Sequence, residues 1–364
     1  MNSNFSKAEI IIFITSFLTF KIYTSYPSFI YKDSATSAWV VVILSTLIMF
    51  LIWRIFWSFL KKYSKGNFSE LMRRSFGKKL YSVLTIIIAL YVFASLSVWT
   101  FNSAGIIKLA FYERAPVLFV LLFYVLTSVY GASVGVRPII IAASVTFIFV
   151  ILSLISLIFG SSEYYGSYTN LFPAMGLGVK NTLFQSLVYT NIFDDFIFFT
   201  FAISFENKKE DIYKMGNIII LISGVCILIF TMIYQLLIPY PTGGTYIFPY
   251  EELSRASVNN TFSVFLNFIL IFIIISGFFV YISYKLHFVS VLLSGIVKPY
   301  AEGVTYKNLV IPLGILLAVA CLMQRDILNN LDLLYANRII ASVFAFLLPL
   351  LTFILARIRG VDMS

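Results

Sequence analysis

Apolar residues along this chain come in long, nearly unbroken runs rather than in the alternation of a strand or the narrow stripe of a surface helix. A helix that crosses a bilayer needs roughly 20 such residues, and the runs predict ten of them. They lie at about Ala8–Ile30, Ser37–Leu60, Leu80–Ile107, Pro116–Tyr130, Pro138–Phe159, Val179–Ser204, Met215–Ile238, Phe262–Tyr284, Leu309–Leu322 and Ile339–Leu355. The pattern predicts an all-α polytopic membrane protein, a single transmembrane domain over residues 1–364. Its first half covers about 8–160 and its second about 178–357.

Two runs are interrupted by polar and ionisable residues. Span one carries Thr19, Lys21, Tyr23, Thr24, Ser25 and Tyr26 before Pro27. Span six carries Tyr189, Thr190, Asn191, Asp194 and Asp195, after Gly176 and Gly178. Each is the first span of its five-span half, and broken helices at corresponding places are the sequence sign of an inverted-repeat transporter site. Unwinding a helix inside the bilayer frees backbone N–H and C=O groups, which is tolerable only where they face protein, ligand or water. Freed N–H groups suit a carboxylate; freed carbonyls and acidic side chains suit an ammonium group or a cation. The bland reading puts Pro27 at the outer end of span one and both aspartates near a helix end. Against it, Lys21, Asp194 and Asp195 fall well inside apolar stretches, where an unpaired charge costs several kcal/mol. Pairing of Lys21 with Asp194 or Asp195 is therefore expected.

Composition narrows the class further. Hydrophobic residues make up 60% of the chain and charged residues only 12%, against about 25% charged in soluble domains. The formal net charge of +10 does not point to nucleic acid, because the basic residues sit mostly between apolar runs. The loops after spans two, six and eight are rich in Lys and Arg, including Lys61 to Lys79, Lys208 to Lys214, and Lys285, Lys298 and Lys307. Their alternation with poorer loops predicts that both termini are cytoplasmic. The first run leads into polar residues rather than a small-residue cleavage site, so it reads as a span and not a removable signal. Cys226 and Cys321 lie inside apolar runs and suggest neither disulfide nor metal site. His287 is the only histidine and reads as an interfacial residue at the end of span eight. No nucleotide-binding or zinc-protease motif occurs. Neither an enzyme nor a cofactor is expected.

Further polar candidates lie on spans three and eight. Ser95 and Asn267 either line a cavity or bond between packed helices; Trp99 and Tyr284 read as interfacial aromatics. Between spans seven and eight, Pro249, Glu251, Glu252 and Arg255 follow Gly243 and Gly244 in a loop long enough to be functional. A short helical lid is expected there, with Glu252 and Arg255 at helical spacing; the alternative is a plain surface helix.

At this point the chain resembles a known family, the spore-germination permeases, which are the B subunits of nutrient germinant receptors in endospore-forming bacteria. Asn170-Leu171-Phe172-Pro173-Ala174-Met175-Gly176-Leu177-Gly178 is similar to the family's N-L-x-P-x-x-G-x-G segment. Pro249-Tyr250-Glu251-Glu252-Leu253-Ser254-Arg255 is similar to its P-x-x-E-L-x-R. Ala38-Trp39 and Gly77-Lys78-Lys79 also match. Leu177 stands where the family often has an acid, and Arg137-Pro138 sits at the start of span five rather than an Arg a turn later. The resemblance implies a LeuT-type fold of the amino acid–polyamine–organocation kind, with ten helices in a five-plus-five inverted repeat and helices one and six broken. It also implies nutrient sensing beside an A subunit and a lipoprotein C subunit in the spore inner membrane. Two functions are expected. One is a receptor subunit that binds a small germinant, an amino acid foremost, among Lys21, Tyr23, Thr24, Ser25, Ser95, Tyr189, Thr190, Asn191, Asp194, Asp195 and Asn267. The other is an ion-coupled amino acid transporter with Asp194 or Asp195 as coupling group; a scaffold whose cavity no longer binds anything is the third reading.

Overall fold

The computed structural model describes residues 5–63, 65–111, 114, 116–162, 167–203, 208–246, 249–256, 261–297, 305–323 and 340–361. Among them every regular element is helical. The helices are α1 (Lys7–Phe20), α2 (Tyr26–Ser34), α3 (Ala38–Leu60), α4 (Phe68–Phe76), α5 (Lys78–Phe111), α6 (Val117–Val134), α7 (Val136–Ser162), α8 (Val179–Val188), α9 (Phe196–Ala202), α10 (Lys209–Leu237), α11 (Pro249–Ala256), α12 (Thr261–Val297), α13 (Tyr306–Met323) and α14 (Ile340–Ile358). Among the described residues eight apolar stretches of helix are long enough to cross a membrane by themselves. The first of them, Tyr26–Leu60, takes in α2 as well as α3; the remaining two spans are the interrupted ones, α1 with the turn that leads into α2, and α8–α9, in which α1, α8 and α9 are each too short. The total is the ten read from the hydropathy pattern.

α1 is held at its start by a capping box, with Ser6 Oγ accepting from Glu9 N and Glu9 accepting from Ser6 N. From Phe13 to Phe20 every residue is buried, because α1 runs between α7 and α10 rather than along the lipid boundary. α12 packs against α5, α6 and α7, and α3 against α8 and α10. Lys7 pairs with Asp211 at 2.7 Å, so α1 and α10 start on the same face of the bundle.

Close packing at the centre depends on small residues. Gly277 of α12 lies against the ring of Phe20, and a Cβ there would meet its Cδ2 and Cζ at 2.8 and 2.9 Å. Phe20 is itself fixed edge-on to Phe278 at 4.6 Å and cannot swing away. Gly277→Ala is expected to lower stability by ~1–3 kcal/mol, the usual cost of overpacking; thermal unfolding of the purified variant checks this.

Three features differ from the sequence expectation. The basic stretch after span two is not a plain loop: α4 forms there, capped by Asn67, whose Oδ1 accepts from Glu70 N at 3.0 Å. Its apolar residues Phe68, Leu71 and Met72 are buried against Phe353 and Phe201, leaving Arg73 and Arg74 exposed. Span eight does not stop at Tyr284; α12 continues through Leu286 to Val297. Lys285 is thus not a loop cation, and His287 is not at a helix end. His287 lies half-buried inside α12, with its Nδ1 3.2 Å from Ala132 O.

Candidate functional site

The first break is made by Thr24. Its backbone is extended (φ −117°, ψ −171°), which stops the turn Lys21–Tyr23. Its hydroxyl donates to Lys21 O at 2.6 Å and accepts from Tyr26 N at 3.3 Å, so the side chain satisfies groups that the break sets free. Pro27, in the first turn of α2, has no N–H to leave unpaired there. The second break is a tight turn over Tyr189–Phe193 followed by Asp194 and Asp195. Gly178, at φ +106°, opens α8 in a conformation that side chains rarely adopt. Gly176, at φ +44°, presses on the turn between α2 and α3, where a Cβ would meet Ser37 N at 2.9 Å. Trp39 Nε1 donates to Leu171 O, and Asn170 Nδ2 donates to Leu236 O. The glycine-proline motif therefore fixes how α8 enters the bundle.

At the breaks the chain brings four charges together. Lys21 Nζ is bonded to Asp194 Oδ1, lies 3.3 Å from Asp195 Oδ2 and donates to Ile192 O at 2.8 Å. The pairing expected from the sequence is thus present. The fourth member is Lys285 of α12, 3.2 Å from Asp195 Oδ1 and 3.3 Å from Ser95 Oγ of α5. Tyr281 OH donates to Asp195 Oδ2 at 2.9 Å, and its ring lies 4.2 Å from the Lys285 ammonium, a cation–π distance. Tyr91 OH reaches Asp194 Oδ2 at 3.4 Å. The Lys21, Asp195 and Lys285 side chains are 2–3% exposed, whereas Asp194 is 17% exposed. Asp195 is the buried hub, and Asp194 is the member presented to open space.

Around Asp194 stand aromatic residues. Tyr26 OH donates to Asn191 Oδ1, and its ring meets Tyr189 edge-on at 6.0 Å. Tyr189 OH donates to Asp33 Oδ2 at the far end of α2. Tyr91 stacks on Phe344 at 4.9 Å. Phe344 lies in Val343–Leu347, a π-helical turn of α14, a local widening that recurs at functional sites.

The other residues read as ligand-binding have these places. Tyr23 is bonded to Ser153 of α7, Thr190 donates to Ser186 O of its own helix, and Ser25 stands half-buried at the start of α2. The side chains of Asn267 and Arg255 lie outside the described residues, so the Glu252–Arg255 tie does too. The helix expected around Pro249 is present as α11, and Tyr250 and Leu253 anchor it, each 2% exposed. Tyr250 packs on Tyr23 at 5.0 Å and on Phe230. Tyr284 does not stand at a helix end as an interfacial aromatic, and Trp99 is half-buried. Tyr284 is buried among Phe13, Phe17 and Phe198, and Trp99 meets the Tyr281 ring at 5.6 Å. Among the described residues no group of three His, Cys, Asp or Glu could hold a metal ion.

The family model described as "Spore germination protein" matches residues 4–327. No curated protein matches the sequence. In fold the chain is similar to MhsT solved with L-phenylalanine (TM-score 0.67, 13% identity, covering 98% of this chain and 90% of that one). It is also similar to a substrate-bound Na+-coupled sialic acid symporter in an outward-open state (0.68, 12%, 98% and 80%). Mhp1, a nucleobase-cation-symport-1 family transporter in a closed conformation, is a third (0.59, 11%, 92% and 77%). The fold is that of LeuT-type transporters, all-α with helices one and six broken.

Proposed function

Because the chain belongs to the spore germination protein family, we propose that it is the membrane subunit of a nutrient germinant receptor, binding a small germinant, an amino acid foremost, between its two broken helices. The observation that carries this reading is Asp194: of four clustered charges in the bundle it alone has an open face, and it follows the tight turn Tyr189–Phe193 of span six and meets Lys21 of the turn Lys21–Tyr23 in span one. There it can accept the ammonium group of an amino acid. A ligand that binds one arrangement of the two halves better than the other shifts the population between them. The partners in this reading are an A subunit and a lipoprotein C subunit, the location is the spore inner membrane, and both termini are cytoplasmic. The chain acts by binding rather than by catalysis.

The fold likeness to transporters supports a second reading, an ion-coupled amino acid transporter. Purified full-length protein separates the two. Under the receptor reading, amino acids raise its melting temperature, and proteoliposomes show no concentrative uptake. Under the second, an ion gradient drives uptake. Asp194→Asn is expected to weaken amino acid binding at least tenfold, or ~1.4 kcal/mol, in a titration followed by intrinsic fluorescence. Unchanged affinity would remove Asp194 from the site.

A further inference from the structure

The charges at the breaks balance: two lysines face two aspartates. Every carboxylate oxygen already has a partner. Asp194 Oδ1 takes Lys21 and Oδ2 takes Tyr91. Asp195 Oδ1 takes Lys285, and Oδ2 takes Lys21 and Tyr281. No other ion pair reaches these four side chains among the described residues. Only Asp194 Oδ2, held by the Tyr91 hydroxyl alone at 3.4 Å, can take a further donor without displacing a lysine, and a bare monovalent cation or a ligand with net charge bound there would leave its charge uncompensated inside the bundle, which is costly.

We propose that Lys21 and Lys285 are resident counter-cations that make the site charge-complete, so that it accepts ligands of zero net charge and requires no sodium ion. Lys285 sets this selectivity from α12, outside both breaks. The inference rests on the reading that the breaks hold the ligand. Without Lys285, Asp195 Oδ1 loses its cation and the cluster carries one net negative charge. Ser95 Oγ and the Tyr281 ring stay in place to receive a replacement. Without the Asp194 charge, the cluster carries one net positive charge.

The test uses full-length protein in nanodiscs. Thermal unfolding is followed in sodium chloride and in choline chloride at equal ionic strength, and then with L-alanine, L-leucine, L-phenylalanine, L-lysine or L-glutamate added. Wild type should melt at the same temperature in both salts and respond to the neutral amino acids only. Lys285→Met should be stabilised by sodium over choline in a saturable manner, and its affinity for L-lysine relative to L-leucine should rise at least tenfold. Asp194→Asn, a milder change, should move the other way and favour L-glutamate. The idea is overturned by saturable sodium stabilisation of wild type, by equal wild-type response to charged and neutral amino acids, or by Lys285→Met with no sodium response. If Lys285→Met does not fold, Asp194→Asn without the shift toward L-glutamate overturns it. The sodium comparison needs no ligand. A panel in which nothing binds would therefore sink the receptor reading while the charge rule is still decided by sodium.

Discussion

Lys21→Met is expected to destabilise the protein by ~3–5 kcal/mol, the usual result of removing one partner from a buried pair. Lys21 is 2% exposed and touches both aspartates. Its loss leaves Asp194 and Asp195 with Lys285 alone for compensation, and leaves Ile192 O without its donor. The double variant Lys21→Met/Asp194→Asn restores neutrality, because the Asp195–Lys285 pair remains. It should be more stable than Lys21→Met alone, a sign of coupling that a merely additive pair of losses does not give. The unfolded fraction in a denaturant series in mixed micelles, taken for wild type and both variants, measures this. A double variant less stable than Lys21→Met would show that packing of the lysine stem, and not charge, holds the site.

Asp195→Asn should be more damaging than Asp194→Asn. Asp195 is the shared anion, 3% exposed, and provides the carboxylate of Lys285's ion pair; it also receives the Tyr281 hydroxyl. Neutralising it leaves a buried ammonium with only a serine hydroxyl and an aromatic face, at a cost of ~3–5 kcal/mol. Asp194→Asn keeps an anion beside each lysine and alters the group with an open face, so ~1–2 kcal/mol less is expected from the same considerations. Asp195→Asn/Lys285→Met should recover part of the loss. The order of the melting temperatures of the three variants decides the matter, and equal values for the two aspartate variants would contradict the hub role of Asp195.

How far the sequence is legible depends on the range of the interaction concerned. Hydrophobic content alone located all ten spans, because lipid imposes the same length on each of them. Polar residues inside spans one and six marked both breaks, since a charge in mid-membrane demands a partner. Lys21 and the two aspartates were therefore foreseeable as a pair. Lys285 was not. A charge ends a hydropathy run when its partner is unknown, and a lysine beyond Tyr284 looks like a cytoplasmic loop cation. The signal that could have corrected this is the apolar stretch Leu286–Val297 that follows it, which makes one long helix with an internal lysine. Tyr284 was misplaced for a related reason: an aromatic residue near the end of a span suits the interface equally well, and only the extension of α12 puts Tyr284 at depth.

By itself, then, the sequence determined that this is a membrane bundle of ten spans with two polar interruptions, because those are statements about each segment and its solvent. Only the tertiary structure decided that Lys285 from α12 and Ser95 from α5 meet Asp195, and that Tyr91 and a π-turn of α14 flank Asp194. It also decided that Tyr250 of α11 packs over Tyr23. These contacts join residues far apart in the chain, and their energies come from mutual compensation of charge and shape, which no single segment contains.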